Sequence, residues 1–80
     1  MSDDLRARLL AVLTEELSID PATVRDDSDL VADLGFDSVA FSVGSVAIEE
    51  SIGVRVPISD LMECLTFGDL TALVQKAERP

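Results

Sequence analysis

Leu34-Gly35-Phe36-Asp37-Ser38-Val39 is the stretch on which the reading of this chain turns. Asp37 is a good helix N-cap, and the apolar residues after it support a helix from about Ser38 to Ile52. Phe36 at N′ and Phe41 at N4 have the spacing of a hydrophobic staple. Gly53 follows the last apolar residue and suits a left-handed helix end. Ser38 therefore falls in a first turn, where backbone N–H groups lack intrahelical partners and the helix dipole is positive. A hydroxyl held there, at the edge of the domain, suits attachment of a phosphate-linked arm, because the same donors stabilise an anion. Taken alone, Asp37-Ser38 is also an ordinary pair of cap and first helical residue.

Upstream, Leu5, Leu9, Val12, Leu13 and Leu17 recur every three or four residues, which is one apolar face of a helix. Ser2 or Asp3 is its expected cap, and Asp20-Pro21 ends it near Ser18. Residues 18 to 37 then form a long connection rich in aspartate, with Ile19, Val24, Leu30, Val31 and Leu34 as its expected anchors to the core. A loop of this length in a small domain points to function. Asp27-Ser28-Asp29 invites comparison with a calcium-binding loop, but Ala32 stands where that loop needs glycine and Ser38 where it needs glutamate.

Downstream, Val54-Arg55-Val56 alternates like a strand but has no convincing partner, so it is expected to be extended loop. Pro57 is expected in the first turn of a short helix through Met62. Thr66 and Asp69 have the spacing of a capping box for a last helix, whose apolar face is Leu70, Leu73, Val74 and Ala77. Lys76 and Arg79 near its end suit the dipole, and Pro80 closes the sequence. The expected fold is all-α: a small four-helix bundle of three longer helices and one short one, with a long loop between the first two. One domain over residues 1–80 accounts for the whole length.

Sixteen acids against six bases give a net charge of −10. That balance argues against nucleic acid and anionic membrane as partners, because both bind through Lys and Arg. It suits partners with basic docking surfaces, or it serves solubility alone. Cys64 is the only cysteine, so no internal disulfide forms. A cytoplasmic location and a buried thiol are the expectation. With no histidine, a Ser-His-Asp or Cys-His arrangement is impossible, and no GxSxG or glycine-rich phosphate loop occurs. No Cys/His pair offers a zinc site, so neither catalysis by the chain itself nor a metal is expected.

Over residues 5 to 75 the order of elements and motifs resembles the acyl and peptidyl carrier proteins. Asp27-Ser28-Asp29-Leu30-Val31-Ala32-Asp33-Leu34-Gly35 is similar to that family's acidic lead-in. Asp37-Ser38-Val39 is similar to its Asp-Ser-Leu signature, with valine in place of leucine. Glu49-Glu50 and Leu65-Thr66-Phe67-Gly68-Asp69-Leu70 also match the family's pattern. The resemblance implies that Ser38 receives 4′-phosphopantetheine from coenzyme A through a separate phosphopantetheinyl transferase. The arm's thiol would then hold an acyl or aminoacyl group as a thioester for loading and downstream biosynthetic enzymes. It implies a carrier that catalyses nothing itself, in fatty acid, polyketide or nonribosomal peptide-type synthesis; with no flanking domain in the sequence, a free-standing protein is expected, acting as a monomer. Five arginines against one lysine, with many Ala, Val and Asp, resemble GC-rich bacterial coding and favour specialised metabolism.

The expected docking residues are Phe36, Asp37, Val39, Val43, Val46, Glu49 and Glu50. Val39, Ala40, Val43, Val46 and Ala47 make the second helix more apolar than is usual for the family, until Glu49 and Glu50. Phe41, Ile48 and Ile52 already form one inward face, so this surplus either packs inward or meets partners by apolar contact. Ser42, Gly44 and Ser45 either let helices approach closely or leave room for a bound acyl chain. The other class of function is an unmodified acidic helical adaptor that binds a protein partner.

Overall fold

A computed structural model of the chain describes residues 2–78, with side chains from residue 4 onward. Helix α1 (Ser2–Leu17) is followed by a single 3-10 turn at Pro21–Thr23 and then by α2 (Ser38–Ile52), α3 (Ile58–Met62) and α4 (Phe67–Glu78). Among the described residues there is no strand, only one isolated bridge between Asp29 and Thr66. This is the all-α arrangement of three longer helices and one short helix. Ser2 is already helical, so the cap of α1 falls outside the described residues, as do Arg79 and Pro80.

Leu5, Leu9, Val12 and Leu13 bury the inner face of α1 against α2 and α4. Phe41, Ala47 and Ile48 come from α2, and Phe67, Leu70 and Val74 from α4. Ala77, expected on the apolar face of α4, is exposed at its end. Val54 and Val56 are buried around exposed Arg55, so the alternating segment is extended loop that plugs the core. The Ser45 hydroxyl on α2 donates to the Val56 carbonyl at 2.7 Å, which replaces the missing strand partner. Pro57 stands at the N-cap of α3, one residue before the first turn where it was expected.

The long connection is stitched down along its length. Ser18 adopts φ +58° and turns the chain out of α1. Asp20 accepts from the Ala22 N–H at 3.0 Å and starts the 3-10 turn. Farther on, Leu30 N–H donates to Leu65 C=O, Phe67 N–H to Ser28 C=O and Gly68 N–H to Asp26 C=O, at 2.8–3.0 Å. The loop is thereby fixed to the start of α4. Ser28 is buried, and its hydroxyl accepts from the Arg25 N–H at 2.8 Å. Arg6 adds a tie from α1: its Nε lies 2.8 Å from the Asp26 carboxylate and its guanidinium 5.2 Å from the centre of the Phe67 ring.

Val24 and Leu30 are buried anchors, and Ile19 and Leu34 pack partly against the core. Val31 does not: it is 59% exposed. The Asp29 carboxylate accepts from the Val31 and Ala32 N–H groups at 2.9 and 2.8 Å, and Asp33 accepts from the Asp29 N–H at 2.8 Å. These bonds curl the backbone into a turn with Leu30 inside and Val31 outside. With Asp20, three loop aspartates are thus occupied in holding backbone.

Candidate functional site

Ser38 is the first residue of α2 and is exposed. Its position follows from the residues on either side. Gly35 takes φ +74°, a conformation that strains other residues, and this lets the chain turn into the helix. Phe36 N–H donates to Leu30 C=O at 2.9 Å, which ties the entry to the buried part of the loop. Asp37 is the N-cap, and its carboxylate accepts from the Ala40 N–H at 2.9 Å. The Phe36 and Phe41 rings meet edge to face with centroids 5.1 Å apart, so the hydrophobic staple forms as its spacing requires. Such a cap and staple hold the first turn of α2 in one orientation.

Electrostatically, the site is a helix N-terminus with donors to spare. Asp37 satisfies Ala40, and Phe41 N–H reaches the Asp37 carbonyl at 3.0 Å. Among the described residues no protein group accepts from the Ser38 or Val39 N–H. Two free amides beside an exposed hydroxyl fit a phosphodiester on that oxygen, which would be stabilised by the donors and by the positive end of the helix. No side chain walls the hydroxyl in. Asp37 keeps a negative charge beside it, which opposes a phosphate but attracts a basic protein surface.

The expected docking residues separate into two groups. Asp37, Glu49 and Glu50 are exposed, as are Val39 and Val46 at 69% and 55%, and Val43 is half-buried. Val39, Val43, Val46 and Glu50 follow one another at helical spacing, so they form one outward stripe that begins beside Ser38. Phe36 is different. It is only 6% exposed, because the staple drives its ring into the core, so Phe36 anchors the helix start rather than facing a partner as expected. Ala47 also turns inward, and Ala40 is half-buried.

Gly44 is buried, yet nothing lies within 4 Å of where a Cβ would stand, so close helix approach does not explain it. The glycine that is sterically required is Gly68, whose Cβ would stand 2.9 Å from the Asp26 carbonyl oxygen. Sequence reading missed that role, as it missed the buried Ser28; only the pairing of loop and α4 reveals either. Cys64 is half-buried rather than buried, with its thiol 3.7 Å from the Asp60 carbonyl. Partial burial, helped by the charges of Asp69, Asp60 and Glu63, pushes its pKa upward, so the thiol holds its proton.

Comparison with known proteins agrees with this geometry. Residues 7–74 match the family described as phosphopantetheine attachment site. The chain is 47% identical over 73 residues to acyl carrier protein MbtL of Mycolicibacterium paratuberculosis, covering 91% of this chain and 82% of that one. It is 48% identical over 66 residues to acyl carrier protein MbtL of Mycobacterium tuberculosis, with 82% and 79% covered. It is 33% identical over 76 residues to the meromycolate extension acyl carrier protein of Mycolicibacterium smegmatis, with 95% and 77% covered. With a match that spans most of its length and a first turn suited to a tethered phosphodiester, the chain belongs to the acyl carrier proteins, whose prosthetic group is 4′-phosphopantetheine.

Proposed function

We propose that Ser38 carries the phosphopantetheine arm and that the chain, catalysing nothing itself, passes a thioester-bound acyl group between biosynthetic enzymes. The observation that supports this is the exposed Ser38 hydroxyl at the start of α2, beside two amides without protein partners. When attached, the arm supplies the thiol that holds the cargo. The chain's own residues do the rest. Ser38 Oγ forms the ester bond, and the Ser38 and Val39 amides orient the phosphate. Asp37 caps the helix while presenting charge to a basic transferase. The stripe of Val39, Val43 and Val46 with Glu49 and Glu50 receives partner enzymes through apolar contact edged by charge.

The relatives' names favour an acyl over an aminoacyl cargo, and the one named for meromycolate extension supports a specialised pathway. A single carrier domain acting as a monomer in the cytoplasm fits the one cysteine and the high negative charge. No helix among the described residues is long and apolar enough to cross a membrane.

Intact mass after incubation with coenzyme A and a broad-specificity phosphopantetheinyl transferase tests the assignment. Wild type is expected to gain one phosphopantetheine and Ser38→Ala none, with helicity by circular dichroism unchanged in both. An unchanged wild-type mass with active transferase would favour the unmodified adaptor instead.

A further inference from the structure

Immediately before the attachment segment, residues 30 to 34 form one helical turn that is closed at both ends. The Asp29 carbonyl accepts from the Asp33 and Leu34 N–H groups at 2.9 and 3.0 Å. At the start of the turn, the Asp29 carboxylate takes the Val31 and Ala32 amides, which would otherwise lack partners. The Asp33 carboxylate reaches back to the Asp29 N–H, so the cap is reciprocal. At the end of the turn, Gly35 at φ +74° donates its N–H to the Val31 carbonyl at 3.1 Å, a left-handed stop. Phe36 then donates to the Leu30 carbonyl, while the Leu30 N–H is held by Leu65. Only Phe36 and Asp37 lie between that stop and Ser38. Among the described residues neither Asp29 nor Asp33 pairs with a cation.

We propose that Asp29 and Asp33 are positioning residues for loading of the arm: their carboxylates lock the turn whose exit sets where Ser38 Oγ stands. The proposal rests on the carrier reading and extends it, giving two residues outside α2 a task in the transfer step. In that step Ser38 Oγ bonds to the coenzyme A phosphorus that bears pantetheine. The pyrophosphate P–O bond breaks, adenosine bisphosphate leaves, and the hydroxyl proton passes to a base of the transferase. A reacting atom misplaced by about 1 Å slows such a step by up to about a hundredfold. What counts at Asp29 and Asp33 is the acceptor oxygen, not the charge. An asparagine oxygen accepts the same N–H bonds, whereas alanine leaves those amides open. Without its cap the turn loosens, the bond between Phe36 and Leu30 weakens, and the entry to α2 loses its single direction. Asp27 supplies the control, since it is exposed, carries the same charge and makes none of these bonds.

The test loads the full-length protein from coenzyme A with a broad-specificity phosphopantetheinyl transferase. Intact mass over time gives kcat and KM for each variant. Asp29→Ala is expected to lower kcat about tenfold with KM within about twofold of wild type. Asp29→Asn and Asp27→Ala are expected to load like wild type. Asp33→Ala removes one bond rather than two, so its kcat should fall less, and Asp33→Asn should restore it. Circular dichroism checks folding at the assay temperature, and the Asp33 pair decides the matter if Asp29→Ala unfolds. Faster exchange of the Phe36 and Ala40 amides in the alanine variants alone would tie the slower transfer to the entry of α2. Three outcomes would overturn the proposal: unchanged kcat in the alanine variants, asparagine variants as slow as alanine, or a rise in KM at constant kcat. Wild type that takes up no arm sinks the carrier assignment. Wild type that loads no faster than the alanine variants sinks the positioning role alone.

Discussion

At the scale of single residues, Gly44 and Gly68 make opposite predictions. Gly44 sits inside α2 with open space where a Cβ would be, so Gly44→Ala should stabilise by about 0.5–1 kcal/mol, the usual helix gain over glycine. At Gly68 an added Cβ meets the Asp26 backbone at 2.9 Å, so Gly68→Ala must displace the loop and should cost about 1–3 kcal/mol. Urea denaturation of the two variants checks both signs. Cys64 supplies a pH prediction. Its folded-state pKa lies above the ordinary value of 9.0, so the native state holds the proton more tightly than the unfolded chain. Its contribution to stability is full below about pH 9 and is lost as pH rises through the folded value. Near neutral pH, Cys64 should alkylate more slowly than a free thiol of the same chain in denaturant, as read by mass.

At the scale of elements, the start of α4 carries more than its own helix. The Asp69 carboxylate accepts from the Leu65 and Thr66 N–H groups at 3.1 and 3.2 Å, and Thr66 Oγ1 accepts from the Asp69 N–H at 3.1 Å. This reciprocal box also fixes the turn whose Leu65 carbonyl holds Leu30, and Leu30 in turn holds Phe36 next to the attachment site. Asp69→Ala should therefore cost about 1–2 kcal/mol, as a lost cap does, by urea denaturation. The same change removes one of the charges that raise the Cys64 pKa, so Cys64 alkylation should accelerate. Faster exchange of the Leu30 and Phe36 amides would show that the loss reaches the site.

At the scale of the whole molecule, charge opposes compactness. Sixteen acids and six bases share a body of 32 × 24 × 20 Å, and the three ion pairs among the described residues are largely exposed. Exposed pairs contribute little, while self-repulsion acts over the full surface. Added salt should screen repulsion more than it weakens attraction. The melting temperature is expected to rise from low salt to a few hundred millimolar NaCl in thermal unfolding followed by circular dichroism. A fall would mean that the ties of Arg6 and Arg8 dominate.

The attachment helix was legible in the sequence because its determinants are local. Asp37 as cap, Phe36 against Phe41 and Gly53 as terminator lie within a few residues of the positions they govern, so spacing alone placed them. The Thr66–Asp69 box was legible for the same reason. Contacts between distant segments were not. That Leu30 turns inward is fixed by its bond to Leu65, 35 positions on, and that Gly68 is sterically required is decided by Asp26, 42 positions back. Helical periodicity names the faces of α2 but not what lies opposite each one. Only the packing of α1 beside it placed Glu16 and Glu50 on one groove.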